Sequence, residues 1–232
     1  MISIRKSNDR GHADHGWLDS RHTFSFADYY DPQHMGYRNL RVINEDHVAP
    51  GGGFPTHPHR DMEIFSYVLS GALAHQDSLG NGRTLKAGQV QLMSTGRGVQ
   101  HSEFNPSKSE AAHFLQIWIK PERAGLEPRY TEWEPSTAQA DAPKVLIISR
   151  DGRDHSATIT ADSDVYRVLL KKGESVSHEL RAGRGLWLQV ARGAVTLDGA
   201  RLVAGDAASL EDAGSHTITA EEASEALLFD LA

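Results

Sequence analysis

Two short motifs hold the residues of this chain best suited to chemistry. His57-Pro58-His59 follows the glycine run Gly51-Gly52-Gly53, and His101-Ser102-Glu103 follows Gly96-Arg97-Gly98. Each places two metal-capable side chains at i and i+2, which a β-strand projects from one face. Two such strands side by side bring three imidazoles and a carboxylate to one point, a mononuclear metal site with room left for another molecule. Thirteen histidines in 232 residues produce on the order of 0.7 His-x-His matches by chance, so neither motif stands alone. Their shared frame carries the argument: both follow Gly-rich turns and both precede apolar segments.

Such motifs need short strands to hold them, and the sequence places turn signals at short intervals. Gly36, Asn44, Asp46, Pro50 to Gly53, Gly71, Gly80-Asn81-Gly82, Gly88, Gly96, Gly98 and Asn105-Pro106 read as turns. Between them lie β-rich runs at Leu40 to Ile43, Glu63 to Leu69, Val90 to Met93 and Phe114 to Ile119. Many short strands broken by Gly turns predict an all-β barrel or sandwich. Asn81-Gly82 reads as a hairpin turn, because both residues tolerate positive φ. Long amphipathic helical patterns are missing, and only Glu221 to Glu225 reads as a short turn of helix.

Composition narrows the partners. Hydrophobic content of 39% and charged content of 24% are ordinary for a globular protein, and the length suits one large or two small domains. A net charge of −7, with no basic block, argues against direct nucleic-acid binding. Cysteine is absent, which removes disulfides, thiolate catalysis and Cys-held metal clusters; a metal must be held by His, Asp or Glu. The first ten residues contain no apolar stretch of the signal-peptide kind, and no run of about 18 apolar residues occurs. A cytoplasmic location without a membrane span is expected.

The rhythm changes after Trp133. Residues 134–143 are small, polar and bounded by Pro135 and Pro143, which suits a linker. Strand-like runs then resume at Lys144 to Ser149, Val165 to Leu170, Gly185 to Val190 and Ala194 to Leu197. The spacing from Gly193 to Asp206 echoes that from Gly71 to Gln89, a weak internal duplication. The second copy has no His-x-His and only the isolated His155, His178 and His216. Two barrels with one metal site is the expectation.

Longer strings sharpen this. Gly51, five residues, then His57-x-His59-x-x-x-Glu63 resembles the first motif of the cupin superfamily, and Gly88 to Asn105, with His101 near its end, resembles the second. Residues 16–26 (GWLDSRHTFSF), 57–63 (HPHRDME), 75–81 (HQDSLGN) and 96–103 (GRGVQHSE) resemble the pirin family, densely over residues 1–130. The resemblance implies a bicupin of two double-stranded β-helix (jelly-roll) barrels. Residues 1–133 would form a metal-binding N-terminal cupin, 134–143 the linker, and 144–232 a degenerate, metal-free cupin. It implies His57, His59, His101 and Glu103 as ligands of one divalent transition metal. Fe(II) leads, and the donor set is also suited to Co, Ni, Cu, Mn or Zn. Glu63 holds the usual cupin carboxylate position; the family's pattern moves that role to Glu103 and leaves Glu63 as a supporting or alternative ligand.

Several bacterial pirins resemble quercetin 2,3-dioxygenases, which implies a flavonol-like aromatic substrate opened with O2, Glu103 accepting the proton of its 3-hydroxyl. The resemblance also allows a metal-binding regulatory protein acting, like a transcription cofactor, through a protein partner. A non-redox cupin, such as an isomerase or sugar-binding module, is a third reading. The other histidines have plainer readings: hydrogen bonding for His12, His15 and His22, with the pocket entrance as the lesser alternative for His22, a strand or hairpin residue at His75, and a core or near-site residue at His113. Trp17, Phe24, Phe26, Tyr29 and Tyr30 read as core more readily than as stacking platforms for a substrate. Arg60 and Asp61 read as rim charges.

Overall fold

A computed structural model describes residues 1–232, and it is built almost entirely of strands. The chain divides into two compact units, one of Gly11–Glu134 with Ile159–Ala161, the other of Met1–Arg10, Pro135–Thr158 and Asp162–Ala232. Strand β1 is Ser3–Arg5. The first unit then contains β2 (Gly11–Asp14), β3 (Leu18–His22), β4 (Leu40–Val48), β5 (Gly53–His59), β6 (Glu63–Ser70) and β7 (Ala72–Asp77). It continues with β8 (Gly82–Lys86), β9 (Val90–Ser94), β10 (Val99–Phe104), β11 (Ala112–Ile119) and β12 (Arg129–Trp133). These form a seven-stranded sheet in the order β12-β9-β6-β11-β4-β3-β2 and a four-stranded sheet in the order β5-β10-β7-β8. Val48, Val68, Leu73, Leu85 and Phe114, all buried, join the two faces in one apolar cluster.

The other unit repeats the plan. Its strands are β13 (Lys144–Ser149), β14 (Ala157–Thr158), β15 (Ser163–Leu170), β16 (Ser175–Leu180) and β17 (Gly185–Arg192). Then come β18 (Ala194–Leu197), β19 (Ala200–Val203), β20 (Ala207–Leu210), β21 (Gly214–Ala220) and β22 (Ser224–Leu231). The sheets run β1-β20-β17-β22-β15-β13-β14 and β16-β21-β18-β19, so each strand has a counterpart in the first unit. The expected all-β, two-barrel architecture is therefore what the chain adopts. No helix is long and apolar enough to cross a membrane.

Four local expectations give way to the structure. Residues 1–10 lie in the second unit instead of the N-terminal barrel. There β1 pairs antiparallel with β20, Ser3 opposite Ser209, and Asp206 accepts from the Ser7 amide at 2.7 Å and from Lys6 Nζ at 3.0 Å. Residues 135–143 also belong to that unit: the amides of Gln139 and Ala140 both donate to Ser136 O at 2.9 Å, closing a turn. Asn44 and Asp46 are not turn residues but lie inside β4, where positions 40, 42, 44, 46 and 48 are all buried. Ser224–Leu231 is a strand, and no helical turn forms at Glu221 to Glu225.

The hairpin between β7 and β8 also turns differently. Gly80 adopts φ +92°, and the Asp77 carboxylate accepts from the amides of Leu79 and Asn81 at 2.9 and 3.0 Å. An aspartate that caps its own loop replaces the tight Asn-Gly turn. A closer constraint lies at Gly53, where an added Cβ would stand 2.4 Å from Glu103 O and 2.6 Å from Phe104 Cα. Both obstacles are backbone of β10, so relief requires the two strands to separate. Gly53→Ala is expected to cost about 1–3 kcal/mol, read as an earlier unfolding midpoint in chemical denaturation.

Candidate metal centre and adjoining cavity

The antiparallel pairing of β5 with β10 sets the site. His57 lies directly opposite His101, and His59 opposite Val99. Alternation along β5 puts His57 and His59 on one face, so three rings converge with centroids 4.5–4.9 Å apart. Ligand atoms of His57, His59 and His101 all lie within 4.8 Å of one another. Between His101 and Glu103 the register shifts, leaving Glu103 opposite Phe54. On its other side β10 pairs regularly with β7, Glu103 opposite His75, so Glu103 groups with His101 and His75, while its charge still acts on His59.

Hydrogen bonding fixes which ring nitrogens remain available. His57 Nδ1 lies 2.7 Å from Pro55 O, a carbonyl that can only accept. The proton therefore sits on Nδ1, and Nε2 keeps its lone pair. His101 Nδ1 faces His75 Nδ1 at 3.4 Å, and His75 Nε2 faces Asp77 Oδ2 at 3.4 Å. Burial works against charge on Asp77, but bonds from Asn81, His75 and Leu79 outweigh it and hold the carboxyl below its ordinary range. A charged Asp77 accepts from His75 Nε2, so His75 Nδ1 accepts from His101 Nδ1, and His101 Nε2 is left as a lone-pair donor. That atom is buried with no hydrogen-bond partner. Burial, with the neighbouring imidazoles, lowers His59 to about 4 and His101 to about 3. Both rings are neutral at physiological pH, the form that binds metal.

Glu103 is 1% exposed and held from three sides. Ser66 Oγ donates to Oε1 at 2.8 Å, Gln91 Nε2 to Oε1 at 3.3 Å and Gln116 Nε2 to Oε2 at 2.6 Å. Glu63 does not enter either histidine cluster; it accepts from Ser94 Oγ at 2.6 Å and from Thr160 Oγ1. Burial raises its carboxyl, partly offset by those bonds.

A cavity of about 630 Å³ adjoins the centre, with Trp17, Phe26, Tyr29, Phe54 and Trp118 in its wall. Trp118 packs edge-on against His59 at 4.8 Å, and Phe54 sits 6.5 Å from His57. Gln116 also lines the cavity and reaches back to Glu103. Of the aromatics read from sequence, Phe24 is buried in the core and Tyr30 is 73% exposed. His12, His15 and His22 line the same cavity without forming a metal cluster. His113 stacks on His47 at 3.9 Å and meets Glu45 Oε1 at 3.0 Å, away from the centre. His75 is the residue that sequence reasoning passed over. The signal was there: His75-Gln76-Asp77 repeats the i, i+2 spacing of the other two pairs.

Comparison with known proteins finds relatives of both barrels. The Pirin family model matches residues 3–119, and a model described as the quercetinase C-terminal cupin domain matches residues 146–231. The chain is 49% identical over 231 residues to the quercetin 2,3-dioxygenase of Escherichia coli K12, covering 100% of this chain and 99% of that protein. It is 43% identical to a pirin-like protein of Caulobacter vibrioides, each chain covered over its full length. The crystal structure of the Escherichia coli bacterial pirin YhhW in complex with nickel(II) superposes with a TM-score of 0.95 at 49% identity, covering 100% of this chain and 99% of that one.

One further group in the cavity wall is electrostatically unusual. Burial pushes the Asp46 carboxyl up to about 7; its bond from Ser20 opposes this, and the charges of Glu103 and Glu45 reinforce it. An unfolded Asp ionises near pH ~3.9, so the folded chain retains a proton that the unfolded chain has lost. Stability from this group is full below about pH 4 and declines as pH rises through about 7. Asp46→Asn removes that loss. Chemical denaturation of chelator-treated protein should show the variant matching wild type near pH 4 and exceeding it by about 1 kcal/mol or more at pH 8; a difference independent of pH would contradict the assignment.

Proposed function

This chain belongs to the pirin family, and from that premise we propose that it is a metal-dependent dioxygenase that opens a flavonol ring with O2. The observation that carries the proposal is the His57, His59 and His101 trio beside the buried Glu103, next to an aromatic-walled cavity. These four residues would hold one divalent transition metal. They suit it on their own terms: the free lone pair of His57 Nε2, the unpartnered buried Nε2 of His101, and imidazoles kept neutral by burial. Fe(II) is our first assignment, and the same nitrogen and oxygen donors accept Ni, Co, Cu, Mn or Zn. When bound, a redox-active ion supplies polarisation of a substrate hydroxyl and the electron chemistry needed for O2.

The chain's own residues do the rest. The walls formed by Phe26, Phe54 and Trp118 exclude water and hold a flat ring system. Glu103 accepts the proton of the flavonol 3-hydroxyl, leaving the ring electron-rich. Gln116 and Ser66 keep the carboxylate facing that hydroxyl through the bonds at 2.6 and 2.8 Å. Ring opening incorporates both atoms of O2 and releases carbon monoxide. His75 and Asp77 touch none of the reacting atoms; they position His101.

Loss of quercetin absorbance with O2 uptake and carbon monoxide release, abolished by chelation, is the expected result. A metal-loaded protein inert towards flavonols and O2 overturns the proposal. His101→Ala should lose the metal. Glu103→Gln should keep it while turnover falls about 10²-fold or more; full turnover in that variant retires Glu103 as the base. His75→Ala should weaken metal binding about 10–100-fold, measured by competition with a chromophoric chelator, with the fold intact by circular dichroism.

A further inference from the structure

A row of polar side chains crosses the inner wall of the first barrel from strand to strand. His22 pairs with Asn44, Asn44 with Gln116, Gln116 with Ser66, and Ser66 with Gln91. Its far half, Gln116, Ser66 and Gln91, holds Glu103. Its near half continues past Glu103 into the cavity, where Asn44, Asp46 and Ser20 line the wall. Asn44 and Asp46 are 4% and 3% exposed. Asn44 Oδ1 is buried without a hydrogen-bond partner. A buried polar atom left unmatched in this way destabilises the fold.

The fold does not demand that cost. Across the corresponding strands of the second barrel, Tyr166, Leu228, Leu188 and Ala208 pair in sequence and pack in one apolar cluster. The polar row is thus particular to the barrel that has the cavity. Asp46 lies one strand and two residues from Gln116, a span of about 8 Å, comparable to the distance between the reacting end and the outer ring of a two-part aromatic.

We propose that Asn44, Asp46 and Ser20 form a subsite that binds the hydroxyl groups of a phenolic ring, so that the substrate is selected by the hydroxylation of its outer ring. Asn44 Oδ1 accepts one phenolic O–H. The Asp46 carboxyl, with Ser20, meets a neighbouring hydroxyl as donor and acceptor, and a ligand carrying a carboxylate there is repelled by Glu103. The subsite rests on the flavonol reading of the centre, and its test separates the two.

The experiment is anaerobic equilibrium binding to metal-loaded protein of three flavonols with two, one or no hydroxyls on the outer ring, followed by absorbance, with metal content checked in every variant. Wild type is expected to bind the dihydroxy ring about tenfold more tightly than the unsubstituted one. Asp46→Leu and Asn44→Leu should remove most of that preference while leaving the unsubstituted flavonol within about twofold, which also shows that the site is folded. Asp46→Asn, which keeps a donor and an acceptor, should preserve it. Equal affinities in wild type, or an equal loss for all three ligands in Asp46→Leu, overturn the subsite. Expected binding preferences without any oxidation under O2 overturn the dioxygenase reading and leave the subsite standing. Oxidation indifferent to the outer ring does the reverse.

Discussion

Everything at the centre depends on one cross-strand register, that of β5 against β10. It sets His57 opposite His101, and strand alternation then brings His59 and Glu103 to the same face. A one-residue slip of β5 would turn His57 and His59 to the opposite face from His101 and Glu103. Gly53 guards the register, since the β10 backbone passes too close for any side chain there. The shift between His101 and Glu103 places its extra residue on β5, while β10 stays in regular register with β7 and keeps Glu103 opposite His75.

Much of the centre was legible because its signal is local. A pair of ligands at i and i+2 is visible in three residues, and strands with Gly turns imply the frame. What was not legible depends on pairing between distant segments. His75 has the same spacing as the ligand pairs, but its role appears only when β7 lies beside β10. Asn44 and Asp46 looked like turn residues because polar side chains usually interrupt strands. Only the cavity beside them makes an interior position tolerable. The hairpin at Asn81 shows the reverse case, a strong local turn preference overridden by the Asp77 carboxylate that bonds to the loop amides.

The two barrels show what the same topology can do with a different interior. The second retains a directly opposed histidine pair, His178 and His216, on the strands corresponding to β5 and β10. Each ring is committed elsewhere. His178 Nε2 meets Asp230 Oδ2 at 2.9 Å, with Arg184 on the same carboxylate. His216 Nδ1 meets Asp198 at 2.6 Å. Where the first barrel keeps imidazole lone pairs exposed to one another, the second has closed them with carboxylates and packed its wall with aliphatic groups. The strand order is shared; what differs is the side chains and local register, with a shift between β5 and β10 that β16 and β21 lack.

The placement of β1 has a consequence for how the molecule is made. Ser3 pairs with Ser209, so a strand synthesised before the first barrel is needed by a sheet whose other strands are synthesised after it. The Gly11–Glu134 barrel can close while the remainder is still being synthesised. During that interval β1 has no partner, and closing so long a loop is entropically slow. Its three-residue length, with Arg5 at its end and Lys6 next to it, suits a waiting edge, too short and too charged to recruit a neighbouring nascent chain. Completion of the second barrel thereby requires segments made both before and after the first.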